Sequence, residues 1–278
     1  MKEGQGSSGP RVVHADNAGP FSMDGTRTHL VGRDEVAVID AGPADIDHLQ
    51  EVARQVDGAR RVRVVVTHDH PDHDAGTAAL VRILQEGREA ASRPHPAVTV
   101  EGHSGHPQCL PLAHGAWVST DVGPLQVLET PGHARRHLAL FHEVAGDLYP
   151  GDLVMGTGRT AWVGSYGGCV ADYLASLRRL EQLGARRLFP AHGPPVEGAE
   201  AVAEHLDRFR AHREGRIGDV AEALEALGAD APVDAMVDRV YGEALSASLR
   251  DGARWSVRAI LHHLGARDFP SPGPGTVG

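Results

Sequence analysis

Residues 67–73 read Thr-His-Asp-His-Pro-Asp-His and directly follow the apolar run 62–66. His68, His70, Asp72 and His73 are therefore crowded at the end of an expected strand. Imidazoles this close repel one another when protonated and become compatible when they share a divalent cation. Imidazole with carboxylate suits zinc, and iron, nickel and manganese stay open. A loop of this kind constrains the whole chain, because the remaining ligands must arrive from distant strand ends.

With 18 histidines in 278 residues, an isolated His-x-His pair carries little information. Three further residues strengthen the reading: His133 in Thr-Pro-Gly-His, Asp152 in Pro-Gly-Asp, and His192 in Pro-Ala-His-Gly. Each follows a short apolar or aromatic run, and strand ends can converge on one edge of a sheet, where such folds place chemistry. A catalytic zinc keeps one position open and brings its water to a pKa of about 7. The expected chemistry is metal-dependent hydrolysis.

The pattern His-x-His-x-Asp-His, followed by a distant His, Asp and His, resembles the metallo-β-lactamase superfamily. Residues 17–31 and 151–158 further resemble its β-lactamase-like protein 2 branch, and the likeness spans residues 12 to 266. The resemblance implies an αββα sandwich followed by a small, mostly helical winged-helix-like domain. It implies that His68, His70 and His133 bind one metal, that Asp72, His73 and His192 bind a second, and that Asp152 bridges them. The implied cofactor is two zinc ions, with iron or manganese open. The implied reaction is attack by a metal-bridging hydroxide that Asp72 orients, Asp72 being the catalytic residue. Arg27 and His29 stand where the family usually has Asn and Tyr, and Thr77 where a Gly usually follows Gly76. These departures bear on the expected pocket floor and touch none of the implied ligands. A Glu in place of His70 would signal a diiron flavoprotein. A mononuclear-iron persulfide dioxygenase keeps the same run and stays open.

Composition narrows the partners. A formal charge of −10 disfavours a protein whose main partner is a phosphate backbone. Cys109 and Cys169 form no Cys-x-x-Cys pair and no disulfide framework. No apolar run approaches the roughly 18 residues of a membrane span, and residues 1–10 lack the apolar stretch of a secretory signal. A cytoplasmic protein without a membrane partner is expected, with a homodimer as one assembly it could adopt.

Along the chain, residues 1–10 read as a flexible start, 11–204 as the catalytic domain, 205–266 as the winged-helix-like domain and 267–278 as a disordered tail. Helices are expected at 45–57, 74–87 and 173–183, the last N-capped by Asp172. Residues 88–96 read as a loop. Strand 137–142 is expected to be half exposed, since it partly alternates polar and apolar residues. Separate helices are expected at 199–214 and 219–227, the second followed by Gly228, with further helices at 232–241 and 255–264. Asp40, at the end of strand 36–39, reads equally well as a turn residue or as an acceptor that orients a ligand histidine.

Residues 156–168 follow Asp152 and predict a glycine-rich substrate lid, with Trp162 or Tyr166 stacking on a ligand and Arg159 meeting an anion. His103 and His106 could border the same pocket. Cys169 reads as a small buried residue. From His205 to Ala266 there are eight Arg, no Lys and ten acidic residues, which makes no basic stripe. A small ester, thioester or lactone is therefore the expected substrate class. Single-stranded RNA, which the branch resemblance implies, is the alternative.

Overall fold

The computed structural model describes residues 9–20, 22–86, 96–103 and 108–270. Residues 1–8 of the expected flexible start, 271–278 of the expected tail, most of the expected 88–96 loop, and His106 lie outside the described residues.

The first half of the chain builds one sheet. Its strands are β1 (Arg11–His14), β2 (Arg27–Val31), β3 (Glu35–Ile39), β4 (Arg61–Val66), β5 (Ala97–Gly102) and β6 (Leu110–Pro111), adjacent in that order. Strands β3 to β6 run parallel. Between them lie α1 (Ile46–Gln55), the single turn α2 (Pro71–Asp74) and α3 (Thr77–Glu86). The second sheet holds β7 (Trp117–Val118), β8 (Leu125–Glu129), β9 (Leu138–His142), β10 (Asp147–Tyr149), β11 (Arg187–Leu188) and β12 (Val196–Glu197), also in chain order. α4 (Cys169–Glu181) connects β10 to β11, and α5 (Ala199–Leu227), α6 (Val233–Tyr241) and α7 (Ala247–His263) follow.

The period-two geometry of a strand explains the layering. In β3, Val36 and Val38 face α1 and α3, while Ala37 and Ile39 face the second sheet. In β9, Leu138 and Leu140 face the first sheet, while Ala139 and Phe141 face the outer helices. Two sheets thus pack face to face with helices outside both. β9 is not the half-exposed strand expected, because every residue in it is buried. Sheets covered on both faces need apolar residues on both faces, so alternation is a poor guide there.

His29 shows the same effect. Instead of forming a pocket floor, it is buried between the sheets with its ring edge-on to Tyr149 and near Phe189. Burial, reinforced by Arg27, lowers its pKa to about 3, so it packs as a neutral ring.

Local signals set most helix starts. Asp45 caps α1 by accepting from the His48 amide, and Pro71 opens α2. The expected 74–87 helix is instead α2 followed by α3, which begins at Thr77. Asp172 lies inside the first turn of α4, and Gly168, not Asp172, occupies its N-cap.

The largest departure is α5, which runs unbroken through Gly215 and Gly218 and across the expected boundary at residue 205. Each mid-helix glycine costs about 1 kcal/mol relative to alanine. Burial of Phe209, Arg213, Val220 and Ala223 along one side offsets that cost. Val202, Leu206 and Phe209 share one apolar cluster with α4, β9 and α7. Among the described residues no strand follows β12, so residues 199–263 show helices without a β-wing. No helix is long and apolar enough to cross a membrane among the described residues.

Candidate metal centre

Both sheets deliver their functional side chains at one edge. Asp40 ends β3, and Thr67 and His68 end the adjacent parallel strand β4. From the second sheet, His133 follows β8, Asp152 follows β10 and His192 follows β11. Gly132, at φ +143°, makes the turn before His133. A Cβ there would lie 2.6 Å from the Tyr173 Cα, so only glycine lets this turn sit on α4.

Seven side chains meet in two groups. The first is His68, His70, His133 and Asp152, and the second is Asp72, His73 and His192. In the first, His70 Nδ1 lies 3.0 Å from both His68 Nε2 and His133 Nε2. Tetrahedral ligands about 2.05 Å from a zinc would stand roughly 3.3 Å apart, close to that spacing. In the second, His192 Nε2 lies 3.2 Å from Asp72 Oδ2 and from Asp152 Oδ1, and His73 Nε2 lies 3.3 Å from Asp152 Oδ1. Asp152 Oδ2 lies 3.6 Å from His133 Nε2, so its two oxygens face different groups.

The remaining ring nitrogens are committed elsewhere. His73 Nδ1 donates to Asp40 Oδ2 at 2.8 Å, and His192 Nδ1 to the Gly25 carbonyl at 3.2 Å. His133 Nδ1 donates to the Trp162 carbonyl at 3.0 Å. Thr67 Oγ1 donates to Asp40 and accepts from His68 Nδ1. These bonds fix the tautomers and leave Nε2 of all four rings facing inward. His73 Nε2, His192 Nε2 and Asp152 Oδ1 are buried and make no hydrogen bond. Buried polar atoms rarely go unpaired, and a divalent cation in the second group would satisfy all three. The donor set fits zinc.

Electrostatics separate the two groups. Burial holds His68 well below its ordinary pKa and lowers His70, and it brings His133 to about 4, so the three histidines of the first group are neutral. Burial also opposes charge on His73 and His192. The carboxylates outweigh it: Asp152 and Asp40 hold His73 well above its ordinary value, and Asp152 with Asp72 brings His192 to about 10. Burial likewise opposes charge on Asp152, yet His73 and His192 keep its carboxyl well below the usual range. Protons on these two histidines occupy the place of a cation, so metal binding there would release them.

The other expected site residues divide. Arg159 is exposed. Trp162 is half-buried beside the first group, edge-on to His133 with ring centroids 6.2 Å apart. Tyr166 is buried, donates to Asp172 at 2.7 Å and carries Arg135 over its ring, so it packs the core and has no free face for a ligand. His103 is buried. Cys169 is buried and burial raises its thiol pKa, which suits packing.

Several participants were not legible beforehand. His137 is buried 5.0 Å ring to ring from His68. Its Nε2 accepts from the Asp152 amide at 3.2 Å, and its Nδ1 meets Thr130 Oγ1 at 2.9 Å. Its only signal was a position four residues after His133. Thr26, held by Asn17, donates to Asp72 Oδ2 at 3.3 Å.

The family model for the metallo-beta-lactamase superfamily matches residues 24–192, from before the histidine run through the last residue of the second group. The chain belongs to this superfamily. Among curated relatives, it is 26% identical over 252 residues to the beta-lactamase-like protein 2 homolog of Caenorhabditis elegans, covering 89% of this chain and 81% of that one. It is 30% identical over 216 residues to the atrochrysone carboxyl ACP thioesterase of Aspergillus terreus, covering 75% of this chain and 62% of that one. A beta-lactamase domain protein from Burkholderia ambifaria shares the fold, with a TM-score of 0.74, 23% identity, and coverage of 92% of this chain and 86% of that one. Superfamily membership and hydrolase-like relatives make this metallo-beta-lactamase-fold protein an enzyme.

Proposed function

We propose that this metallo-beta-lactamase-fold enzyme is a hydrolase that holds two divalent cations, zinc by preference, and acts on a small ester, thioester or lactone. One observation carries the reading: seven side chains form two groups, and the two oxygens of Asp152 face one each. A cation pair would supply an acidified water and charge for the oxygen that turns anionic in the transition state.

The chain's own residues do the rest. Asp72 is 30% exposed and is held by the Thr26 hydroxyl; in this reading it would orient the water and carry its proton to the leaving group. Asp40 holds His73 directly and His68 through Thr67. Trp162 presents its indole edge beside His133, where it can border a substrate, and the exposed Arg159 lies earlier on the same loop.

The thioester class draws support from the Aspergillus terreus relative's name and from the arginines of α5. Arg210 pairs with Asp207, Glu181 and Glu214, Arg216 pairs with Asp219, and Arg213 is buried. Arg208, the one exposed residue of the four, lies against His205 Nδ1 at 2.7 Å and has no acidic partner among the described residues. They present no open basic stripe for a phosphate backbone. The helical segment 205–266 serves in this reading as a cap on one side of the cleft.

The test is hydrolysis by the zinc-loaded enzyme of an acyl thioester, followed by thiol release, beside a labelled single-stranded RNA. Thioester turnover without RNA cleavage is expected. RNA cleavage without acyl turnover would replace the acyl reading with a nuclease.

A further inference from the structure

The three successive carbonyls of Ala161, Trp162 and Val163 go to three different places. Ala161 O accepts from the Arg213 guanidinium on α5 at 2.9 Å. Trp162 O accepts from His133 Nδ1 at 3.0 Å. Val163 O accepts from Ser256 Oγ on α7 at 3.1 Å. The carbonyl that holds His133 is thus flanked on both sides by carbonyls tied to the C-terminal helices.

Two further contacts tie the segment to α7. The Trp162 indole donates to the Gly252 carbonyl at 3.2 Å. A Cβ on Gly164 would lie 2.9 Å from the Trp255 carbonyl carbon and 3.0 Å from the Ser256 nitrogen, so α7 lies directly on this backbone. Ala161 and Val163 are buried in the same cluster as α4, α5 and α7. Ser165 closes the loop back by donating to the His133 carbonyl at 2.9 Å.

Arg213 shows how committed the arrangement is. Its side chain is buried, with the Tyr173 ring 5.4 Å from the guanidinium carbon. Buried arginines ordinarily carry an acidic partner, and the ion pairs of the described residues include none to Arg213. Its resolved hydrogen bond is the one to Ala161 O. A buried cation whose hydrogen bond goes to one backbone carbonyl, with the Tyr173 ring beside it, ties that backbone to α5.

We propose that Arg213 and Ser256 are positioning residues, through which the C-terminal helices hold the Trp162 carbonyl and so aim His133 Nε2 into the first ligand group. The inference rests on the metal-centre reading above and gives the helical segment a role in the site beyond covering it. Arg213 and Ser256 touch neither substrate nor metal. They act only through residues 161–163 and His133. Histidine ligands depend on the acceptor opposite the metal, and its loss typically lowers metal affinity roughly 10–100-fold.

The test is zinc titration against a competing chromophoric chelator, for the full-length wild type, Ser256→Ala and Arg213→Met, with thermal unfolding of each metal-free form. The expected result is one zinc equivalent bound up to about 10-fold more weakly, the low end of the range for loss of the acceptor itself, and the other unchanged, in variants that still unfold cooperatively. Ser256→Ala removes only a hydroxyl and keeps the test decisive should Arg213→Met not fold. A variant with lowered thermal stability but wild-type affinity for both equivalents would overturn the clamp while leaving the metal centre intact. Equal weakening of both equivalents would also overturn it, because the effect would not be local to His133. A wild type that binds no zinc would instead overturn the metal centre, and the clamp with it.

Discussion

Asp72→Asn is expected to lower turnover roughly a hundred- to ten-thousand-fold, the range spanned by a positioned general acid or base. The change keeps the shape of the side chain and removes its charge and proton affinity. Asp72 Oδ2 faces His192 Nε2 at 3.2 Å and accepts from Thr26 at 3.3 Å. The neutral amide would therefore also weaken the second group, and zinc should be saturating in the assay. Because Asp72 is 30% exposed, the fold should tolerate the variant, and thermal unfolding of the metal-free form should change little. Steady-state kinetics under saturating zinc decide the matter, and unchanged turnover would remove Asp72 from proton transfer.

Asp40→Asn is expected to affect both the fold and the two groups. Asp40 is buried and accepts from the Thr67 amide at 2.8 Å, the Thr67 hydroxyl at 2.9 Å and His73 Nδ1 at 2.8 Å. An amide can replace one oxygen but turns a donor toward the other two partners. The cost should be about 2–4 kcal/mol, given that each hydrogen bond to a charged group contributes about 1.5–3. Asparagine is the informative replacement because Asp40 has φ +56°. Asparagine tolerates that left-handed conformation better than other non-glycine residues, so strain is not confounded with lost charge. Denaturant unfolding of the metal-free protein reads the stability, and chelator competition reads the affinity. Weakening of both zinc equivalents is expected here, since Asp40 holds His73 directly and His68 through Thr67. That contrasts with the single-equivalent effect expected for Ser256→Ala.

What could be read beforehand follows from how each residue acts. His68, His70, Asp72 and His73 lie within six residues, so their crowding is visible in one dimension. His133, Asp152 and His192 are visible because each ends a short apolar strand, and the superfamily resemblance supplies their grouping. Asp40 read equally well as a turn residue or an orienting acceptor, and its positive φ together with its three donors shows it doing both. His137 looked like any other histidine, because its partner is the amide of Asp152, and a backbone group leaves no mark in the residue order. The Trp162 carbonyl escaped for the same reason.

The misread elements share one cause, which is tertiary packing overriding local pattern. β9 follows His137 and ends on His142 yet is wholly buried, because α4 and α7 cover the sheet from outside. α5 continues through two glycines because its buried side is already held against α4 and α7. Tyr166 lies on the expected lid but turns inward to Asp172. For β9 and α5 the deciding contacts lie far along the chain, and for Tyr166 the distant partner is the Arg135 guanidinium over its ring.

Two cation-binding groups that share Asp152 should show in the metal stoichiometry. The purified protein, stripped with chelator and reloaded with zinc, should bind two equivalents per chain by elemental analysis. Only one equivalent at saturating zinc, or none, would contradict the paired centre.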